Sequence, residues 1–128
     1  MKLDEVVVVI TGGASGIGEA VSKYLASLGA KIVIGDIVQE SIEKAVKDIE
    51  TAGGSAAGLK TDVTKDAEVA ALMDFAISKF GAINVVVPCA GIIRDGVMIN
   101  TDRETGKVKR VMETDQFRSV VEVNLIGS

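Results

Sequence analysis

Five consecutive β-branched residues, Val6-Val7-Val8-Val9-Ile10, run directly into Thr11-Gly12-Gly13-Ala14-Ser15-Gly16-Ile17-Gly18. An uninterrupted apolar run reads as a strand buried on both faces, as in a parallel sheet, because a strand with one wet face would alternate. Beyond the glycines, Ile17, Ala20, Val21, Tyr24, Leu25 and Leu28 recur at helical spacing, and Gly29 stands where a left-handed helix terminus is wanted. The chain thus passes from a buried strand to a helix through a glycine turn. In that context each glycine has a reason: Gly12 permits the tight turn, Gly16 lets backbone approach a pyrophosphate, and Gly18 lets the helix pack closely. Unpaired N–H groups at the positive end of the helix favour phosphate. No Gly-Lys-Ser/Thr follows, which disfavours a Walker-type triphosphate site.

The same alternation then repeats. Lys31 to Ile34 reads as a second strand, followed by a helix with Ile42, Ala45, Val46 and Ile49 on one face and a break at Gly53-Gly54. Ala56 to Lys60 reads as a third strand. A helix with Val69, Leu72, Met73, Ala76, Ile77 and Phe80 ends at Gly81, and Ile83 to Val87 is a fourth strand. This rhythm predicts an α/β fold with a doubly wound parallel sheet, helices on both faces and right-handed crossovers. Gly91 to Glu113 lacks helical period, and Asp102-Arg103-Glu104-Thr105-Gly106 suggests an inserted hairpin. Thr114 is expected to cap a last helix through Phe117, Val120 and Val121.

Composition narrows the chemistry. The chain has no histidine and one cysteine, which removes Ser-His-Asp and Cys-His catalysis, any internal disulfide, and almost every basis for a metal site. A formal charge of −4 with scattered basic residues gives no nucleic-acid groove. The Val6 to Ile10 run is far shorter than the roughly 20 apolar residues of a membrane span. A small-molecule partner and a reducing cytoplasmic location are the expectations.

The motif Thr-Gly-x-x-x-Gly-x-Gly of Thr11 to Gly18 resembles that of the short-chain dehydrogenase/reductase family, and later landmarks agree. Asp62-Val63 is similar to the family's adenine-contacting pair, Cys89-Ala90-Gly91 to its Asn-Ala-Gly turn, and Val123-Asn124-Leu125 to its asparagine-bearing helix. The family usually has Asn-Asn where this chain has Pro88-Cys89, so side-chain support of that turn is expected to be lost. Cys89 itself reads as a small buried thiol rather than a nucleophile. The resemblance implies a Rossmann fold, of which residues 1–128 would be a dinucleotide-binding domain ending before the family's Tyr-x-x-x-Lys. Fragment or not, the cofactor-binding set it implies is Gly12, Ser15, Gly16, Ile17, Gly18, Asp36, Ile37, Asp62, Val63, Cys89, Ala90 and Gly91.

Asp36 closes the second strand, where a carboxylate can accept hydrogen bonds from both adenosine ribose hydroxyls and repel a 2′-phosphate. Ala14 and Ser15 stand where relatives that prefer the phosphate often place a base. NAD is therefore expected over NADP. Asp36 as a plain strand end, and Asp62 as a plain helix-start acid, remain the alternatives.

Tyr24, the single tyrosine, has Leu28 four residues on and lies on the apolar stripe of the first helix. It reads as a core residue and not as the family's proton donor. Asn124 matches the family's catalytic asparagine, which anchors a water relay, and its position predicts an inward-facing amide needing a buried partner. The segment between Gly91 and Asn124 is longer than in simple family members. Its Lys107, Lys109 and Arg110 could meet coenzyme A phosphates or an acidic carrier protein, or simply form a solvated hairpin face. The chain is similar both to 3-hydroxyacyl-CoA dehydrogenases and to 3-oxoacyl-carrier-protein reductases of the family. The implied reaction is hydride transfer between a nicotinamide and an alcohol, ketone or acyl thioester, by a homodimer or homotetramer. A non-catalytic dinucleotide sensor is the competing reading.

Overall fold

A computed structural model describes residues 2–94 and 96–128. Four parallel strands, β1 (Val7–Thr11), β2 (Lys31–Asp36), β3 (Ser55–Lys60) and β4 (Val85–Pro88), form one sheet in the order β3-β2-β1-β4. The connecting helices are α1 (Gly16–Ser27), α2 (Gln39–Thr51) and α3 (Asp66–Phe80). β1 pairs with β2 from Val7 opposite Lys31 to Thr11 opposite Gly35, and with β4 from Val8 opposite Val85 to Thr11 opposite Pro88. All five residues of β1 are buried, as its unbroken apolar run predicts.

Alternation along β1 feeds two cores. Val8 and Ile10 join Ile32, Ile34, Ala26, Ile42, Ala45 and Ile49 under α1 and α2, while Val7, Val9 and Val33 join Leu72 and Ala76 under α3. Helices therefore cover both faces. Each valine, leucine or isoleucine side chain removed from water in these layers contributes about 1.5–3 kcal/mol. The order of strands reverses where the chain leaves β3 and returns to the far side of β1, which opens a crevice beyond the carboxyl ends of β1 and β4. β4 forms an edge of this sheet, with Val85 and Val86 exposed.

The expected hairpin is present: β5 (Ile99–Thr101) and β6 (Val108–Val111) pair antiparallel, with a register shift at Asn100/Thr101. Asp102 forms its turn, accepting the amides of Glu104 at 2.9 Å and Thr105 at 2.8 Å. α4 (Thr114–Val121) follows and passes into a π-helical turn, Glu122–Ile126.

Two expectations are corrected. Tyr24 is not a core residue but 64% exposed, with Leu28 and Ile17 exposed as well. The buried stripe of α1 is Gly18, Ser22 and Ala26, flanked by half-buried Val21 and Leu25. The cause is close approach: a Cβ on Gly18 would collide with the carbonyl oxygen of Gly12, so only small residues fit this face of the helix. Thr114 is likewise not a cap. Glu113 flanks the helix in extended conformation, no side chain caps it, and Thr114 is already helical.

Candidate functional site

The glycine turn is shaped by backbone demands. Gly12 and Gly16 have φ of 66° and 52°, the left-handed region. Gly12 donates its N–H to the Gly35 carbonyl at 2.7 Å, and a Cβ on it would stand 2.7 Å from the Cα of Ala90. A Cβ on Gly16 would meet nothing within 4 Å. Gly12 therefore joins two walls, whereas Gly16 faces open space. Ser22, fully buried, lies 2.8 Å from the Gly18 carbonyl and 3.1 Å from that of Gly13, so its hydroxyl ties the turn to the helix.

Ser15 precedes α1 in extended conformation, and the first intrahelical bond of this turn is donated by Glu19 to the Ser15 carbonyl at 3.0 Å. The amides of Gly16, Ile17 and Gly18 come before it, so helix geometry leaves them without an intrahelical acceptor. They open beside a cleft of about 630 Å³. Its lining takes Gly12, Ser15, Gly16, Ile17 and Gly18 from the turn, Asp36 and Ile37 from the end of β2, and Asp62 and Val63 from the end of β3. Cys89, Ala90, Gly91 and Asn124 complete the positions expected from the sequence. All of them share this one cavity.

Val38, Thr61, Ile92, Ile93 and Val123 also line it and were not expected. They neighbour expected residues in the chain, but aliphatic side chains and a threonine carry no signal that separates cleft wall from core.

Asp36 holds the corner between the turn and β2. Its carboxylate accepts the amides of Ile37 at 2.8 Å, Val38 at 3.3 Å and, across the cleft base, Ala14 at 3.2 Å. Two carboxylate oxygens offer about four acceptor positions, so capacity for a ligand donor remains. Asp62 behaves as a turn-former: Thr64 bonds it through its amide at 3.0 Å and its hydroxyl at 2.7 Å, and that hydroxyl, then the amide, hold its carboxyl below the usual range.

On the opposite wall, Cys89 is half-buried and packs against the core under α1 and α2 while lining the cleft, a less enclosed thiol than expected. Asn124 is exposed, not turned inward into the core. Its need for partners is met by backbone: Oδ1 accepts the Ile92 amide at 2.8 Å and Nδ2 donates to the Ile92 carbonyl at 2.9 Å. This pins the segment just after Cys89-Ala90-Gly91.

Among the described residues, the basic side chains of the hairpin lie away from the cleft. Lys109 pairs with Asp102 at 2.8 Å, and Arg110 borders a separate pocket of about 110 Å³ with Asn100, Met112 and Gln116. Lys107 is exposed. No helix among the described residues is long and apolar enough to cross a membrane.

Comparison with known proteins agrees with this fold. A family model described as short chain dehydrogenase matches residues 6–128. The chain is 38% identical over 125 residues to cis-4-hydroxycyclohexanecarboxylate dehydrogenase of Sinomonas cyclohexanicum, covering 96% of this chain and 45% of that protein. It is 40% identical over 122 residues to 3-hydroxyacyl-CoA dehydrogenase type-2 of Rattus norvegicus, covering 95% and 44%. The crystal structure of a hydroxysteroid dehydrogenase from Escherichia coli superimposes with a TM-score of 0.78 at 31% identity, covering 98% of this chain and 48% of that one. The chain thus spans about half the length of the curated relatives it matches.

Proposed function

Because the chain belongs to the short-chain dehydrogenase family, we propose that its cleft binds NAD(H) and that the whole protein interconverts an alcohol and its carbonyl counterpart. The residues present suit a dinucleotide. Gly12 and Gly18 leave no room for a Cβ, Gly16 leaves its side open, and the first amides of α1 are free of helical acceptors beside the cavity. That arrangement is the observation carrying the proposal, since it creates a concave set of donors suited to two linked phosphates. When bound, the cofactor supplies the hydride, and the protein supplies binding and orientation.

In this reading the Gly16 to Gly18 amides hold the diphosphate, Asp36 receives an adenosine ribose hydroxyl at its remaining acceptor position, and Asp62 and Val63 flank the adenine. Cys89-Ala90-Gly91 forms the wall facing the glycine turn. Asn124 holds that wall through Ile92 and has one amide hydrogen left to orient a water near the reacting end. The proton donor would come from the Tyr-x-x-x-Lys that the family carries, since Tyr24 lies on the outer face of α1.

Asp36 favours NAD because a 2′-phosphate beside its carboxylate would be repelled. The substrate class is an alcohol or ketone, with acyl thioesters included on the strength of the rat relative's name. A cytoplasmic homodimer or homotetramer completes the proposal. Calorimetric titration with NADH and NADPH tests it: NADH should bind, NADPH at least about tenfold more weakly, a difference of ~1.4 kcal/mol. Absence of heat from both would overturn the cofactor assignment, and tighter NADPH would overturn the role of Asp36.

A further inference from the structure

After β3 ends at Lys60 the chain turns through Thr61 to Lys65 before α3 begins. Thr61 is buried and Val63 lies against Gly127, but Thr64 and Lys65 are exposed, so packing does little to fix the outer part of this turn, yet Asp62 and Val63 must keep their places on the cleft wall. Polar contacts fix it instead. The Thr61 amide donates to the Asp36 carbonyl at 2.8 Å, and the Lys65 amide donates to the Asp62 carbonyl at 3.0 Å. The Asp62 amide donates to Glu68 Oε2 at 2.7 Å, while Lys65 Nζ meets Glu68 Oε1 at 3.0 Å.

Glu68 is the third residue of α3, the position from which a capping-box glutamate normally reaches back to the amide of the residue flanking the helix. That flanking residue is Lys65, whose amide is already used. Glu68 reaches further, to Asp62. The bond holds the Glu68 carboxyl below its ordinary range, with the Lys65 ammonium as the second cause, so at neutral pH it is a charged and strong acceptor.

Resting on the reading of the cleft as a dinucleotide site, we propose that Glu68 is a positioning residue for its adenine end, fixing Asp62 and Val63 by accepting the Asp62 amide without itself touching the ligand. Asp62 and Val63 line the cleft and Glu68 does not. The function of this bond is to set the distance from the β3 turn to the base.

The test compares NAD with nicotinamide hypoxanthine dinucleotide, in which a carbonyl oxygen replaces the exocyclic amino group of adenine. A well-placed Asp62 carboxylate accepts from the amino group and repels the carbonyl, so the wild type should prefer NAD. Glu68→Ala should bind NAD at least about tenfold more weakly, the lower end of the scale of one lost charge-assisted bond, and lose most of that preference. Glu68→Gln keeps an acceptor oxygen and should restore the preference. Glu68→Asp keeps the charge at the helix start but is too short to reach, and should behave as alanine does. Loss of general stability affects both dinucleotides equally and cancels in their ratio. A wild-type ratio in Glu68→Ala and Glu68→Asp overturns the proposal, as does a wild type that does not discriminate. Binding of neither dinucleotide by the wild type would instead remove the reading of the cleft, and this proposal with it.

Discussion

Gly12 and Gly16 both have φ in the left-handed region but different surroundings, and alanine at each should separate the fold's demands from the ligand's. At Gly12 the new Cβ would lie 2.7 Å from both the Cα and the amide nitrogen of Ala90 and 2.8 Å from the carbonyl carbon of Cys89. These are backbone atoms that cannot rotate aside. Left-handed alanine costs about 1–2 kcal/mol, and overpacking adds about 1–3 kcal/mol, for a total of roughly 2–5 kcal/mol. That is a large share of the ~5–15 kcal/mol that stabilises an ordinary domain. At Gly16, with open space around the Cβ, only the backbone strain applies, about 1–2 kcal/mol. The Gly16 methyl would, however, project where the diphosphate must approach. Urea denaturation should therefore rank Gly12→Ala well below Gly16→Ala in stability, while Gly16→Ala should lose at least about tenfold in NADH affinity by calorimetry. Equal destabilisation by the two changes would refute the steric argument. Wild-type NADH affinity in Gly16→Ala would refute the phosphate approach.

Ser22→Ala removes a buried hydroxyl from the Gly13 and Gly18 carbonyls and should lower the urea-derived stability by about 1 kcal/mol; no loss would mean that the hydroxyl does not tie the turn to α1. Asp102 is held at about 2, from an ordinary 3.8, chiefly by the Lys109 ammonium and then by the Thr105 and Glu104 amides. Because its folded value is depressed, its support of the hairpin is complete above the unfolded value and is lost as pH falls through about 2. Its carboxyl carbon resonance should titrate near that value and move upward in Lys109→Ala, whereas a midpoint at 3.8 in the wild type would contradict the hairpin geometry. Asn124→Ala removes both bonds to Ile92 and should speed hydrogen exchange of the Ile92 amide by about tenfold; unchanged exchange would mean that Asn124 does not hold that wall.

The two central strands were legible because a doubly covered parallel sheet demands unbroken β-branched runs, and Val7 to Thr11 and Ile32 to Ile34 have that character. The hairpin was legible from the turn chemistry of Asp102 and Gly106, the latter with a φ of 68°. The inward face of α1 was not. Periodicity counts large apolar residues, but the contact between α1 and the glycine turn is so close that Gly18, Ser22 and Ala26 occupy it. Ile17, Tyr24 and Leu28 are displaced to the outside by the fold, not by their own polarity. Similarly, Asn124 was readable as a polar residue in need of partners, but not that the backbone of Ile92 would satisfy it outside the core. The reach of Glu68 to Asp62 depends on the path of a turn whose shape no local pattern specifies.

At Pro88-Cys89 the turn is held by backbone contacts. Loss of the family's asparagines was expected to weaken this turn, yet the backbone retains direct ties: Cys89 donates its amide to the Thr11 carbonyl at 2.9 Å, Gly12 abuts Ala90, and Asn124 brackets Ile92. Cys89 adds apolar contact with the neighbouring core in place of hydrogen bonds. A polar cost remains nearby, since the buried Thr11 hydroxyl has no partner among the described residues. Because β1 lies between β2 and β4, the two walls of the cleft are set by strand order and by glycine contacts. Of the side chains that line it, Asp36 adds a tie across the base through the Ala14 amide, whereas Cys89 adds only apolar contact to the wall it belongs to.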